Sequence, residues 1–308
     1  MSLLHKLSPF KALKIWGGDH LSFLKGSASD EVIGEYLEVS RLQDQSSTCN
    51  GKALFQLSTE KQIPYCVKFI ETTDNLSVQV HPDDQYALMN ENSMGKEECW
   101  VILDAKPGAG IYLGLKSGVT KEVFEKALSE KKPMNELLNF YPVRKGDFFF
   151  VPAGTIHAIG IGITLIEFQQ SSGITYRVWD WDRLDDQGNS RELHIKESLE
   201  VINFEEELNT AENFRVKNIF FEGSEWQEVF SHRDFYVESG ALETGKTLSF
   251  SASKEGRFLS IVNLEGSLEL KYGEETLKLD PYTSAVVLDN RLNINVSATT
   301  ASRFFVIK

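Results

Sequence analysis

Cysteine is scarce in this chain, and its few residues lie far apart. The 308 residues include three cysteines, Cys49, Cys66 and Cys99, and no C-x-x-C pair. The odd number and the wide spacing argue against a disulfide framework, a cysteine zinc cluster and a redox dithiol. We therefore expect buried, reduced thiols in a reducing compartment.

Long apolar runs and an excess of basic residues are also missing. No window approaches the roughly 18 apolar residues of a membrane span, and residues 1–8 lack the apolar core of a signal peptide. With 32 Lys and Arg against 45 Asp and Glu, the formal net charge is −13. This charge repels nucleic acid at long range, although a local pocket can still bind a small anion. These features predict a cytoplasmic protein without membrane or nucleic-acid partners.

Short apolar and alternating runs dominate what is present. Examples are residues 148–152, 163–168 and 258–263, each with turn residues nearby. Runs of this length and spacing predict the strands of a sandwich or barrel. We expect a mainly β fold.

Three segments have helical patterns instead. Residues 82–92 open with proline and two acids, which suits a helix N-terminus. Residues 120–139 place apolar side chains at helical spacing, with Pro133 expected to divide them. Residues 193–201 form the third segment. Because the second segment lies between strand patterns, we expect a small helical insertion near residues 116–140.

A charged segment at 204–213 is the candidate domain boundary. We expect a metal-binding domain at 1–210, followed by a second, smaller β-barrel at 215–308. The second unit lacks a P-x-G-x-x-H motif, so no metal is expected there. Its strands are predicted near residues 234–239, 258–263, 267–272, 276–279, 284–288, 292–297 and 303–307.

The sharpest motif is Gly146-Asp-Phe-Phe-Phe-Val-Pro152-Ala-Gly154-Thr-Ile-His157. Gly146 permits a turn into a buried strand, and Pro152 and Gly154 set a corner that aims His157 inward. The pattern resembles the second conserved motif of the cupin superfamily, whose histidine binds metal in a jelly-roll barrel. The asparagine of that superfamily, four residues further on, is Ile161 here, so the match stops at the histidine.

Two further segments add candidate ligands. Gln79 and His81 are two residues apart, so they share one face of a strand. Glu97 and Glu98 precede an apolar run, and the pattern leaves open which of them faces inward. Two imidazoles and one carboxylate match an open catalytic zinc site, with a position left for water or substrate. We therefore expect one divalent metal ion, zinc, inside the barrel.

Four segments together resemble the type I phosphomannose isomerases in their short bacterial form. Their order and intervals match, and the resemblance covers residues 10–200 closely. The segments are Leu76-Ser-Val-Gln-Val-His-Pro-Asp-Asp84, Gly95-Lys-Glu-Glu-Cys-Trp100, Val151-Pro-Ala-Gly-Thr-Ile-His-Ala-Ile-Gly160 and Gln169-Gln-Ser-Ser-Gly-Ile-Thr-Tyr-Arg-Val-Trp-Asp-Trp-Asp-Arg183.

The resemblance implies a zinc-dependent interconversion of mannose 6-phosphate and fructose 6-phosphate. His81, Glu98 and His157 match the zinc ligands of the family, which selects Glu98 over Glu97. Gln79 matches a further ligand of the longer members. One zinc ion per chain and a sugar phosphate substrate are thus implied, whereas the oligomeric state is not.

The resemblance also implies roles for several cationic and polar side chains. Arg177 matches the active-site arginine of the family. The positions that resemble the polar and cationic groups of the substrate pocket are Lys68, Ser77, Lys96 and Arg183. The proton-transferring base stays open between Lys96, a metal-bound hydroxide and a carboxylate.

Departures from the family pattern concern the rim of the pocket. Tyr36 stands where tryptophan often follows Gly-Glu, the loop at 39–52 differs, and Gly173 replaces a common aspartate. Two other readings of the residues therefore remain. One is a different metal-dependent cupin enzyme, such as a dioxygenase with an iron site. The other is a non-catalytic sugar-binding cupin.

Overall fold

The chain is built mainly of antiparallel β-strands. The computed structural model describes residues 2–26, 31–184, 187–220, 226–254, 256–289 and 291–308. The strands of these residues are, in chain order, β1 (Leu4–Lys6), β2 (Phe10–Gly18), β3 (Ile33–Val39), β4 (Thr48–Cys49), β5 (Lys52–Ala53), β6 (Tyr65–Glu71), β7 (Val78–Val80), β8 (Glu98–Ala105), β9 (Gly110–Leu115), β10 (Leu138–Pro142), β11 (Asp147–Val151), β12 (His157–Ile159), β13 (Ile163–Gln170), β14 (Tyr176–Trp179), β15 (Lys217–Asn218), β16 (Trp226–Ser231), β17 (Tyr236–Leu242), β18 (Thr247–Ser251), β19 (Ser253–Lys254), β20 (Arg257–Glu265), β21 (Leu268–Tyr272), β22 (Glu275–Leu279), β23 (Thr283–Val287), β24 (Asn293–Ala298) and β25 (Ser302–Ile307).

Helices are short and connect the strands. The α-helices of the described residues are α1 (His20–Leu24), α2 (Leu54–Leu57), α3 (Asp84–Glu91), α4 (Lys121–Ser129) and α5 (Ile195–Val201). Single 3-10 turns cover Gln43–Gln45, Met134–Leu137 and Glu206–Asn209. Within the described parts of the chain, no helix is long and apolar enough to cross a membrane.

Four sheets of four or more strands stack as layers. The first sheet has the order β10-β9-β12-β7-β14, and the second has the order β15-β11-β8-β13-β6-β3-β2. The third sheet runs β1-β23-β20-β25-β17-β16, with β19 paired to β20, and the fourth runs β18-β24-β21-β22. In each sheet the first and last strands of the order do not pair with each other, so none of these sheets closes on itself over the described residues.

Alternating side chains on each strand join one layer to the next. Leu113 of the first sheet shares a buried cluster with Trp100 and Leu165 of the second. On the opposite face of the second sheet, Phe168 packs edge-on against Phe305 of the third, with ring centroids 5.1 Å apart. This alternation is the two-residue period of a strand that is buried on both faces.

The outermost layers are completed by the fourth sheet and by helices. Ile261 of the third sheet is buried with Leu270 of the fourth in an apolar cluster. On the far side, Phe124 and Ala127 of α4 cover the outer face of the first sheet near Ala158. The first and second sheets thus enclose one interior, and the third and fourth enclose another.

The mainly β fold expected from the sequence is confirmed, and a helix lies in each of the three expected segments, although the second segment is α-helical only in its first half. Helix α3 begins after Asp83, whose side chain accepts a hydrogen bond from the backbone N–H of Tyr86. Helix α4 ends before Pro133, and the residues that follow form one 3-10 turn and then β10, because Leu138 already pairs with Leu115. Both helical pieces lie between β9 and β10, as an insertion requires.

Each of the seven strands expected in the last part of the chain has a counterpart. The expected division at 210–215 stays a prediction. Two strand pairings join residues on either side of it. Strand β1 pairs with β23, so the first residues join the third sheet. Strand β15 pairs with β11 and so extends the second sheet.

Candidate active site

His157 is placed at the start of β12 by the corner that precedes it. Gly154 adopts a left-handed backbone (φ 79°), and a Cβ there would lie 2.5 Å from the Asn203 side chain. The Gly154 N–H donates to the carbonyl of His81 at 2.8 Å, which ties the two histidine segments together. His157 itself pairs in register with Gln79 of the neighbouring strand.

Both imidazole rings are oriented by the carbonyl oxygens of the main chain. His81 Nδ1 lies 2.9 Å from the carbonyl oxygen of Ile174, and His157 Nδ1 lies 2.9 Å from that of Thr155. Since a carbonyl can only accept, each Nδ1 carries the proton and each Nε2 presents a lone pair. Such outer hydrogen bonds are the usual way in which a metal-binding histidine is held in one tautomer.

Glu98 brings its carboxylate between these two lone pairs. Its oxygens lie 3.6 Å from His81 Nε2 and 3.5 Å from His157 Nε2. One candidate ligand atom from each of the three residues lies within 4.8 Å of the others, and all three side chains are buried. Glu98 Oε1 is buried and has no hydrogen-bond partner among the described residues. Two lone pairs and an unsatisfied carboxylate oxygen fit a divalent cation with one open position.

The protonation states agree with this fit. Burial lowers the pKa of His81 well below its usual range and that of His157 to about 4, so both imidazoles are neutral near pH 7. Burial and the nearby Glu167 carboxylate raise the pKa of Glu98. A positive charge beside Glu98 would counteract this rise in pKa and favour the ionised carboxylate that binds a metal.

Lys96 places a positive charge at the same point. Its Nζ lies 2.9 Å from His81 Nε2 and also donates to Glu98 Oε2. The ammonium therefore contacts two of the three groups that would hold a cation, and it stands in for positive charge there. Gln79 lies on the other side, with its Nε2 3.3 Å from His157 Nε2.

A cavity of about 320 Å³ opens onto this cluster between the first and second sheets. Its floor includes Glu98, Lys96 and Gln79. Of the other positions expected to bind substrate, Lys68 and Ser77 line the wall, and so does Arg177. The structure thus brings the expected metal ligands and most of the expected pocket residues to one place.

A second buried ion pair forms part of the cavity wall. Lys68 Nζ lies 3.0 Å from Glu167 Oε1, and the Trp100 indole donates to Glu167 Oε2 at 3.1 Å. Burial opposes ionisation of both partners, but Glu167 raises the pKa of Lys68, while Lys68 and Lys96 lower the pKa of Glu167 to about 2. Both groups are therefore charged near neutral pH.

Three arginines lie near one edge of the first sheet. Arg177, on β14, donates to the carbonyl of Glu192 at 2.8 Å, while its Nε is buried without a partner among the described residues. Arg191 also lines the cavity, and Asp180 holds its guanidinium through both carboxylate oxygens.

Arg183 is placed differently from the other expected pocket residues. It is absent from the cavity lining among the described residues. Its guanidinium binds Asp74 at 3.0 Å, the Asn75 carbonyl at 2.6 Å and Asp180 at 2.6 Å. A guanidinium with these bonds braces Asp180, which in turn holds Arg191.

Sequence reasoning missed Arg191 and Glu167. No motif marked Arg191, whose position depends on Asp180 eleven residues earlier. Glu167 interrupts an apolar run between Ile166 and Phe168, and that interruption was an available signal, because a lone acid in a buried strand needs a partner.

Glu97, the neighbour of the candidate ligand Glu98, does not face solvent freely. Its Oε2 lies 2.8 Å from His232 Nε2, and this bond lowers the pKa of Glu97. His232 is thus the partner of a residue next to Glu98. The two residues are far apart in sequence, so no local pattern could pair them.

Comparisons with known proteins agree in naming one family. No family model matches the chain. The chain is 40% identical over 214 residues to a mannose-6-phosphate isomerase of Streptococcus mutans, which covers 64% of this chain and 67% of that protein. It is 35% identical over 282 residues to a mannose-6-phosphate isomerase of Bacillus subtilis, with 85% of each protein covered.

Solved structures point the same way. The crystal structure of a mannose 6-phosphate isomerase from Bacillus subtilis superposes with a TM-score of 0.83 at 27% identity, and each chain is covered completely. A zinc-bound mannose 6-phosphate isomerase gives a TM-score of 0.74 over 99% of each chain. Its identity of 15% supports a shared fold alone.

Proposed function

Because the chain belongs to the mannose-6-phosphate isomerase family, we propose that it interconverts mannose 6-phosphate and fructose 6-phosphate with one zinc ion held by His81, Glu98 and His157. The observation that carries this proposal is the buried cluster of two neutral imidazoles and one carboxylate at the base of a cavity lined by cations. A zinc-bound relative of the same fold supports the choice of metal. Gln79 is proposed as a further contact of the ion, because its side chain adjoins His157.

The reaction moves a proton between C1 and C2 of the sugar, and negative charge develops on the adjacent oxygens. When bound, zinc would supply Lewis-acid stabilisation of that charge. Arg177 lines the same cavity, and its planar guanidinium is suited to bind either the developing charge or the phosphate.

Lys96 is the group that we propose to exchange the proton. Its amine lies among the ligand atoms, on the floor of the cavity. Glu167 is the weaker candidate, since Lys68 holds it as a stable carboxylate with a pKa of about 2.

The phosphate group needs fixed positive charge at some distance from the metal. Lys68 and Arg191 line the cavity with Ser77, and each cation is already oriented by one carboxylate. We propose that they form the binding wall for the sugar phosphate. In this arrangement Arg183 acts indirectly, because it braces the Asp180 that orients Arg191.

We also propose that the first and second sheets form a cupin-type jelly roll and that residues 1–210 and 215–308 are two structural units. The face-to-face packing of the first two sheets supports the jelly roll. The cluster between the third and fourth sheets supports the second unit, because apart from Leu4 its buried members follow residue 240.

A coupled assay for fructose 6-phosphate formation from mannose 6-phosphate tests the function directly. The purified protein is assayed as isolated, after removal of metal by a chelator, and after zinc is restored. We expect activity to disappear on chelation and to return with zinc. Bound iron with oxygen consumption would support the dioxygenase instead, and sugar phosphate binding without turnover would support a non-catalytic cupin.

A further inference from the structure

A turn of the third sheet reaches the segment that carries Lys96 and Glu98. The turn links β16 to β17 and is closed by a hydrogen bond from His232 N to the carbonyl of Phe235 at 2.9 Å. The N–H of Asp234 donates to His232 Nδ1 at 3.2 Å, so the ring proton lies on Nε2. His232 Nε2 therefore donates to Glu97 Oε2 at 2.8 Å.

Gln170 forms a second link between the same turn and the same segment. It is fully buried at the end of β13. Its side-chain oxygen accepts a hydrogen bond from the backbone N–H of Glu97 at 2.9 Å, and its backbone N–H donates to the backbone carbonyl of Glu97 at 3.1 Å. Its amide nitrogen donates to Asp234 Oδ2 at 2.7 Å and to Asp84 Oδ1 at 3.0 Å. Every polar group of this amide is thus used.

The residue before Lys96 is held by the same network. Asp84 Oδ1 also accepts from the N–H of Gly95 at 2.8 Å. A Cβ on Gly95 would lie 2.6 Å from the backbone of Asp83, so the chain passes this close only with glycine. Arg233 of the turn pairs with Asp84 as well.

These contacts matter because neighbouring residues of an extended chain point to opposite sides. Lys96 and Glu98 point into the cavity, whereas Glu97 points to the turn. Contacts that hold Glu97 on the side of the turn therefore also fix Lys96 and Glu98 on the side of the cavity. Outer contacts that orient ligands commonly change metal affinity by about 10- to 100-fold when they are removed.

We propose that His232, Asp234 and Gln170 are positioning residues, through which the turn of the third sheet sets the placement of Lys96 and Glu98. The inference rests on the proposed function, since it takes Glu98 as a zinc ligand and Lys96 as the proton-exchanging group. It gives the last part of the chain a role in the reaction although none of these three residues lines the described part of the cavity.

The test uses the zinc-loaded, full-length protein and two readouts. The first is the rate at which zinc passes to a chromophoric chelator, and the second is kcat and KM for mannose 6-phosphate. His232→Phe keeps a ring in place but removes the donor, and His232→Gln supplies an amide donor. Asp234→Ala removes the acceptor of the Gln170 amide.

Two control variants remove the same residue types elsewhere. His5→Phe changes a histidine that contacts the carbonyl of Ser2 in the same sheet, and Asp280→Ala removes an acid that pairs with Lys278 at 3.2 Å. Circular dichroism first establishes which variants fold. If Asp234→Ala does not fold, the two His232 variants and the His5→Phe control decide the result.

We expect His232→Phe and Asp234→Ala to release zinc about tenfold faster and to lower kcat more than they raise KM. The phosphate wall is untouched, which is why KM should change little. His232→Gln should recover much of the loss, and the controls should resemble the wild type.

Two results would overturn the inference. One is zinc release and kcat that stay at the wild-type values in the folded His232→Phe and Asp234→Ala variants. The other is an equal change in the controls, which would mean general destabilisation. A wild-type protein without zinc or without isomerase activity would instead refute the proposed function, and that is measured before any variant.

Discussion

Two of the interiors between sheets are built alike but filled differently. Between the third and fourth sheets, the buried side chains form an apolar cluster around Ile261 and Leu270. Between the first and second sheets, an apolar cluster adjoins buried His157, Glu98 and Lys68. Antiparallel sheets in both cases provide the rigid walls. The same antiparallel strand pairing therefore accommodates an apolar interior or one with buried charged groups. The side chains that face inward decide which interior can bind a metal or a substrate.

The second sheet shows the same contrast within single strands. Along β8, Glu98 and Trp100 line the cavity, whereas Cys99 and Val101 join the apolar cluster with the third sheet. Burial raises the pKa of Cys99 well above its usual value, and the Glu98 and Glu167 carboxylates raise it further, so that thiol stays protonated. One strand therefore serves the site with one face and stability with the other.

The largest effect is expected from the loss of a metal ligand in the polar interior, which is the interior between the first and second sheets. His157→Ala removes one of three metal ligands, so we expect no bound zinc and a fall in kcat/KM of about 1000-fold, equal to several kcal/mol of lost transition-state stabilisation. Metal analysis and the coupled assay measure both, with His5→Ala as the matched control. Full activity in metal-free His157→Ala would refute the assignment.

A truncation in the interior between the third and fourth sheets should affect stability and leave catalysis intact. Leu270→Ala should lower the free energy of unfolding by about 3 kcal/mol, the usual cost of an internal cavity, with kcat unchanged. Its matched partner is Leu113→Ala, next to His157 in the strand register. That variant should lose similar stability and also release zinc faster. Equal kinetics in the two variants would contradict the contrast between the interiors.

Arg177→Ala separates binding of the metal from catalysis within the polar interior. Because Arg177 lines the cavity without contacting His81, Glu98 or His157 among the described bonds, zinc content should stay at one per chain. Turnover should fall by about 100-fold, as for the loss of one charge-stabilising donor. Steady-state kinetics with metal analysis provide the measurement, and near-normal turnover would remove Arg177 from the mechanism.

The smallest expected effect is a pH dependence of the metal-free protein. The pKa of His157 is lowered from 6.5 to about 4 in the folded state. Between pH 4 and 6.5, His157 binds a proton in the unfolded chain but not in the folded chain. The contribution of neutral His157 to the free energy of unfolding is therefore fully present above about pH 6.5 and is lost as the pH falls towards 4. His157 alone should contribute at most about 1.4 kcal/mol per pH unit to the slope. Urea unfolding of His157→Ala should give a shallower slope over this window.

Local patterns predicted the strands, the three helical segments and the metal cluster. His157 was predictable because its corner needs Pro152 and Gly154 in sequence, and the choice of Glu98 followed from family resemblance. Arg191 was not predictable, because no motif marks its partner Asp180. The pairing of His232 with Glu97 was not predictable either, because the two residues are far apart in sequence. Periodicity also could not show that β1 would join the third sheet, since its three residues carry too little pattern.

Anomalous X-ray diffraction at the zinc edge, on crystals of the active protein, tests the central assignment most directly. We expect one peak per chain, with ligand distances of about 2.0–2.2 Å to Nε2 of His81, Nε2 of His157 and the Glu98 carboxylate. A zinc peak elsewhere in the active protein, with these three side chains bound to no metal, would contradict it.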